Sequence, residues 1–84
     1  MRPVVLVGHR HMCPMHGVGT VTTGISGVTV NGRAVARIGD LTSCGATIVT
    51  GSTSAFEGAG VARKGDLTSH GGTLDEGDNG WLFD

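Results

Sequence analysis

Apolar positions along this chain come in short, β-branched runs interrupted by glycine, and nowhere do they recur at the spacing of an amphipathic helix. Residues 3–8 predict a first strand, with Pro3 at its start, where a missing amide donor is tolerated. Residues 20–24, 47–51 and 73–77 each run from a threonine to a glycine and predict further strands. Residues 28–35 alternate around Asn31-Gly32, the pair that accepts positive φ in a tight turn, and predict a hairpin. Residues 56–59 hold the matching place further on with a weaker turn signal, and residues 81–83 predict a last strand. An all-β fold follows.

The runs belong to a repeat. Residues 36–47 and 62–73 are identical at nine of twelve positions, and their aspartates, Asp40 and Asp66, lie 26 residues apart. Such a period is typical of stacked or radially arranged strand units. Aligning Gly8 with Gly39 lays residues 4–13 over 35–44 and gives a degenerate first copy, so three units can surround one axis. In this alignment Cys13, Cys44 and His70 are equivalent. After that position the second and third units have two residues before the strand resumes, whereas the first has six, residues 14–19, and this insertion carries His16.

With 84 residues, 16 of them glycine, the chain has little capacity for a core and needs a staple. Two cysteines and four histidines make a metal and a single disulfide the competing candidates. Threefold convergence supplies Cys13, Cys44 and His70, and His16 completes the four ligands of a closed tetrahedral zinc site. His11 is the alternative ligand, because two residues from Cys13 it shares that residue's face of an extended segment. His9 aligns with Asp40 and Asp66, which places it in a turn or outer role. A Cys13–Cys44 disulfide ranks second, since it leaves His16 and His70 without a purpose. The two aspartates are expected to fix turns by accepting amides two residues on, in preference to acting as paired catalytic carboxylates. Arg37 and Arg63 are expected as cross-unit ion-pair partners or solvated strand residues, and Trp81 and Phe83 as the cover of the core's open end or, equally, an apolar docking surface.

A formal charge of −1 with interspersed signs argues against a nucleic-acid binder or a membrane-surface binder. No run is long enough for a membrane span, and the apolar start is too short for a secretory signal. A zinc metalloenzyme would need an open coordination position and a general base. That reading, and a redox-switched binding module built on Cys13 and Cys44, stand as alternatives to a structural role.

Residues 31–40 and 61–66, together with the Cys13-Pro14-Met15-His16-Gly17, Ser43-Cys44-Gly45-Ala46 and Ser69-His70-Gly71-Gly72 loops, resemble the proline-alanine-alanine-arginine (PAAR) repeat family over nearly the whole chain. Ala34-Val35 and Gly60-Val61 stand where the family name has proline and the first alanine. The resemblance implies a small cone, and with 84 residues one domain over residues 1–84 without an effector extension is expected. It implies a cone seated one per trimer on the blunt end of a VgrG-type β-helical spike, in type VI secretion or a phage-tail counterpart. It further implies a non-enzymatic tip for membrane puncture, without small-molecule substrate, carrying effectors in trans if at all. Zinc is the expected metal, with iron as the alternative. The protein is expected to be made in the bacterial cytoplasm and delivered outside the cell on the spike.

Overall fold

Glycine every few residues keeps strands short, and the computed structural model, which describes residues 1–84, is built from nine of them and no helix. They are β1 (Arg2–Val4), β2 (Arg10–Cys13), β3 (Gly17–Thr20), β4 (Thr29–Val30), β5 (Arg33–Ala34), β6 (Ala55–Phe56), β7 (Ala59–Gly60), β8 (Thr73–Leu74) and β9 (Asp78–Phe83). The molecule measures 30 × 23 × 21 Å.

The threefold arrangement is explicit in the backbone. Val5 N–H donates to Ala62 O (3.0 Å), Ala62 N–H to Ala36 O (2.9 Å), and Ala36 N–H to Val5 O (2.9 Å), closing a ring of three equivalent residues. Val7 to Ala34, Ile38 to Gly60 and Lys64 to Pro3 form a second cyclic set, each at 2.9 Å. Each of the three equivalent segments thus bonds to the other two. This is why residues 3–8 do not form the single strand their composition predicts: the ladder stops at Val4, and pairing continues as isolated bridges such as Leu6 to Val35. The same switching shortens the expected strands 47–51 and 73–77 to bridges at Thr47 and Ile48 and to β8.

Two apolar clusters fill the centre. Val5, Ala36 and Ala62 join Val21, Ile48 and Leu74 in one, and all six are essentially inaccessible to solvent. Val4, Val35 and Val61 join Leu6, Ile25 and Phe83 in the other, with Val28, Val30 and Phe56 against its rim. That second cluster is covered by three equivalent two-stranded ribbons. Hairpin β4–β5 turns at Asn31 (φ 52°) and Gly32 (φ 80°), as its Asn-Gly pair predicts. Hairpin β6–β7 has the same turn with Glu57 (φ 53°) and Gly58 (φ 81°), so a glutamate here takes the left-handed conformation that asparagine accepts more easily. The third ribbon is β1–β9, joined from opposite ends of the chain, with Arg2 opposite Phe83 and Pro3 opposite Leu82. The last strand is longer than residues 81–83: it starts at Asp78, which pairs with Val4 across a register shift. Trp81 stacks on Phe83 (4.7 Å between ring centroids) and on Phe56 (5.6 Å), extending the cover of this cluster.

The Gly-Asp turns differ from expectation in direction. Asp40 Oδ2 accepts Arg37 N–H and Asp66 Oδ2 accepts Arg63 N–H, both at 2.7 Å, so the amide lies three residues upstream. Gly39 (φ 98°) and Gly65 (φ 92°) fold the chain back until the carboxylate faces the entrance of its own turn. In the first unit Gly8 has φ 92°, and His9 Nδ1 takes the aspartate's part, accepting Leu6 N–H at 3.0 Å. Asp66 is almost fully buried. Burial raises its carboxyl, yet Arg63, through its guanidinium and backbone N–H, and the Thr50 hydroxyl together hold it below the ordinary carboxylate value. Arg63 thus pairs within its own unit. Arg2 (3.2 Å) reaches the same carboxylate from another unit, and Arg37 crosses to the β6–β7 hairpin through Phe56 O (3.0 Å) and Glu57 (3.8 Å).

Burial is the main influence lowering the pKa of His9, with Arg33 acting in the same direction and Glu76 and Asp78 opposing. An imidazole whose folded pKa lies below its unfolded value of about 6.5 contributes stability that is complete above that pH and is lost as pH falls through the folded value. His9→Asp keeps an acceptor of the kind the other two units use. The difference in urea midpoint between variant and parent should therefore move in the variant's favour between about pH 7.5 and about pH 5.5; a difference independent of pH would refute the turn role of His9.

Candidate metal centre

The sequence Leu-Thr-Ser-X-Gly builds one turn twice. Thr42 N–H donates to Ala46 O (2.9 Å) and Gly45 N–H to Thr42 O (3.0 Å); Thr68 to Gly72 (3.0 Å) and Gly71 to Thr68 (3.1 Å) repeat the pattern. Gly45 (φ 84°) and Gly71 (φ 76°) follow the ligand-type residues Cys44 and His70 and supply the positive φ that the turn requires. The serine before each binds the turn to the preceding unit. Ser43 N–H donates to Thr20 O and Ser69 N–H to Thr47 O, both at 2.8 Å, while their hydroxyls accept Thr20 N–H (3.1 Å) and Thr47 N–H (3.0 Å).

The first unit reaches the same place differently. Residues 14–19, expected as an inserted loop, are partly a strand: β2 and β3 form a hairpin in which Cys13 lies opposite Gly17. His16 sits in its turn, with its N–H donating to Cys13 O at 3.2 Å. The other edge of β2 pairs with β8, Met12 opposite Thr73, which fastens the insertion to the third unit.

These turns bring Cys13, His16, Cys44 and His70 together, with one donor atom from each lying within 4.8 Å of all the others. Cys13 Sγ is 3.4 Å from His16 Nδ1 and 3.9 Å from His70 Nδ1, and Cys44 Sγ is 3.8 Å from His70 Nδ1. A tetrahedron with arms of roughly 2.0 to 2.3 Å has edges of roughly 3.3 to 3.8 Å. Four side chains of the right type at these separations therefore fit a small metal ion with little movement. Such an ion would cross-link all three units. Both cysteines are free thiols, Cys13 buried and Cys44 partly exposed. Cys44 is lowered to about 5, first by the Thr42 hydroxyl at 3.4 Å, against burial, and then by Ala46, His70 and Cys13. These groups favour its thiolate, the form that binds metal.

His11 does share the buried face of β2 with Cys13, as its spacing predicts, but it lies outside the four-donor group. It takes the position that Thr42 and Thr68 hold in the other units, and all three are buried. Its Nε2 is 2.9 Å from Thr68 Oγ1 and its Nδ1 is 4.0 Å from Cys44 Sγ. Reading the sequence for ligand types alone passes over the two threonine hydroxyls. Their signal is that Thr42 and Thr68 are identical across the repeat while standing two residues before a ligand-type residue.

The family model of the PAAR motif matches residues 1–50, more than half of the chain, a span that includes Cys13, His16 and Cys44. Among curated proteins none matches the chain.

Cys44→Ala and His70→Ala each remove one donor from the group. Relative to the parent, both variants should bind Co²⁺ weakly, lack a tetrahedral cobalt spectrum and melt at lower temperature. A full tetrahedral spectrum in either variant would show that its missing side chain is not a ligand.

Proposed function

The chain belongs to the PAAR motif family, and on that premise we propose that it is the structural tip of a VgrG-type trimeric β-helical spike, a cone seated one per trimer and fastened near its point by zinc. One observation carries the reading: the closed ring through Val5, Ala36 and Ala62 gives a single chain three equivalent faces around one axis. A monomer can dock on the end of a trimer with matched contacts only if it presents such threefold equivalence. The end bearing the three ribbons supports this assignment, because it exposes part of Trp81 and Leu82 beside the aromatic stack.

The Cys/His turns are associated with the other apolar cluster through Leu74, which lies opposite His11. Zinc suits two thiolates and two imidazoles in a closed set, where it acts as a cross-link, and filling all four positions with side chains is the signature of a structural site. The proposed tip is accordingly non-enzymatic: it transmits force to a target membrane as part of a type VI or phage-tail-like device. It is made in the cytoplasm and leaves the cell on the spike, and any effector rides on it in trans.

Purified protein should carry about one zinc per chain by elemental analysis and co-sediment with a trimeric spike at one chain per trimer. Leu82→Glu places a charge on the half-exposed end of β9 and should weaken that association by about tenfold or more while leaving metal content intact. Absence of binding to every spike encoded beside the gene would end the proposal.

A further inference from the structure

We infer that His11 is a positioning residue of the metal centre, holding the Cys44 thiolate by a hydrogen bond from Nδ1–H while Thr68 fixes the ring from the other side. The inference rests on the reading that the four clustered donors hold a metal, because only a metal-bound or free thiolate makes Cys44 Sγ a pure acceptor.

His11 is fully buried and has two polar neighbours, Thr68 Oγ1 at 2.9 Å from Nε2 and Cys44 Sγ at 4.0 Å from Nδ1. A proton on Nε2 would turn the lone pair of Nδ1 towards the sulfur lone pairs. A proton on Nδ1 gives a donor facing the thiolate, and the Thr68 hydroxyl then donates to Nε2. The second arrangement satisfies every group. It also gives Cys44 a donor from the first unit, beside the Thr42 hydroxyl of its own turn, whose one proton lies between Cys44 Sγ at 3.4 Å and Ala46 O at 3.3 Å.

The ring is held tightly enough for this purpose. Gly72 stands where the second unit has the buried Ala46, and a Cβ built on it would lie 2.7 Å from His11 Nε2 and collide with Met12 O. The third unit has thus given up a side chain where β2 of the first passes, against the Met12 carbonyl first and the imidazole next. Position 11 breaks the threefold pattern, and position 72 breaks it where β2 lies against it.

Cobalt is a suitable probe, since hydrogen bonding to a ligating thiolate raises the energy of its sulfur-to-metal charge transfer. In Co²⁺-loaded protein, His11→Leu and Thr68→Val should move that band to lower energy with the tetrahedral d–d pattern retained. His11→Asn, whose amide nitrogen can stand in for Nδ1, should bring the band back. Removing such an outer hydrogen bond should weaken Co²⁺ binding by about 10- to 100-fold. An unshifted band in Thr68→Val and in His11→Leu, with only stability lowered, would overturn the inference, as would a d–d pattern showing that His11→Leu has lost a ligand. Should His11→Leu fail to fold, the band position in Thr68→Val and His11→Asn decides. If the parent protein gives no tetrahedral cobalt spectrum, the metal reading falls and this inference with it; a normal parent spectrum with unshifted variants removes the inference alone.

Discussion

Three backbone hydrogen bonds that run from Val5 to Ala62, from Ala62 to Ala36 and from Ala36 back to Val5 are the constraint on which the rest of the molecule depends. Because each segment bonds to both others, no unit can complete its backbone pairing alone, and the fold forms as a whole or not at all. The ring also dictates composition. Its side chains face one another in a fully buried cluster, which leaves room for two alanines and one valine and for larger residues only at Val21, Ile48 and Leu74. A larger residue in the ring would overpack it at a cost of about 1–3 kcal/mol.

Departures from threefold equivalence mark the places where the chain does something a symmetric scaffold cannot. His9 replaces an aspartate, yet keeps the acceptor that closes the turn. The β2–β3 hairpin adds His16, the fourth donor that three equivalent positions cannot provide for a tetrahedron. His11 replaces a threonine, and Gly72 replaces an alanine where a Cβ would meet the Met12 carbonyl first and the His11 ring next. Scaffold and site are therefore written in different residues of the same repeat: identity between copies builds the frame, and difference builds the centre.

That division explains how much could be read without coordinates. Cys44 and His70 were legible because each ends the same Gly-Asp-Leu-Thr-Ser run, and one turn geometry serves both. His16 was legible as the sole ligand type inside the insertion. The Asn31-Gly32 hairpin was legible from local chemistry, whereas the Glu57-Gly58 turn carries a weaker signal because glutamate adopts positive φ less readily than asparagine. The alternation of pairing partners along residues 3–8 was not legible, since hydropathy reports burial and says nothing of which neighbour an amide meets. Nor was the direction of the Asp40 and Asp66 bonds, which depends on where a glycine at positive φ sends the chain. The salt bridge from Arg2 to Asp66 joins residues 64 positions apart, and only closure of the ring brings them together.

The ribbon formed by β1 and β9 differs from its two counterparts in having no turn: Arg2 and Phe83 lie opposite each other at its open end. The same bonds therefore respond unequally to force. Thrust along the threefold axis is shared among the three ribbons and loads their bonds in parallel. Tension that draws the two termini apart meets the bonds of β1–β9 one after another, as a zipper does. Load direction therefore decides how the bonds are engaged: all three ribbons at once along the axis, and β1–β9 pair by pair across its open end.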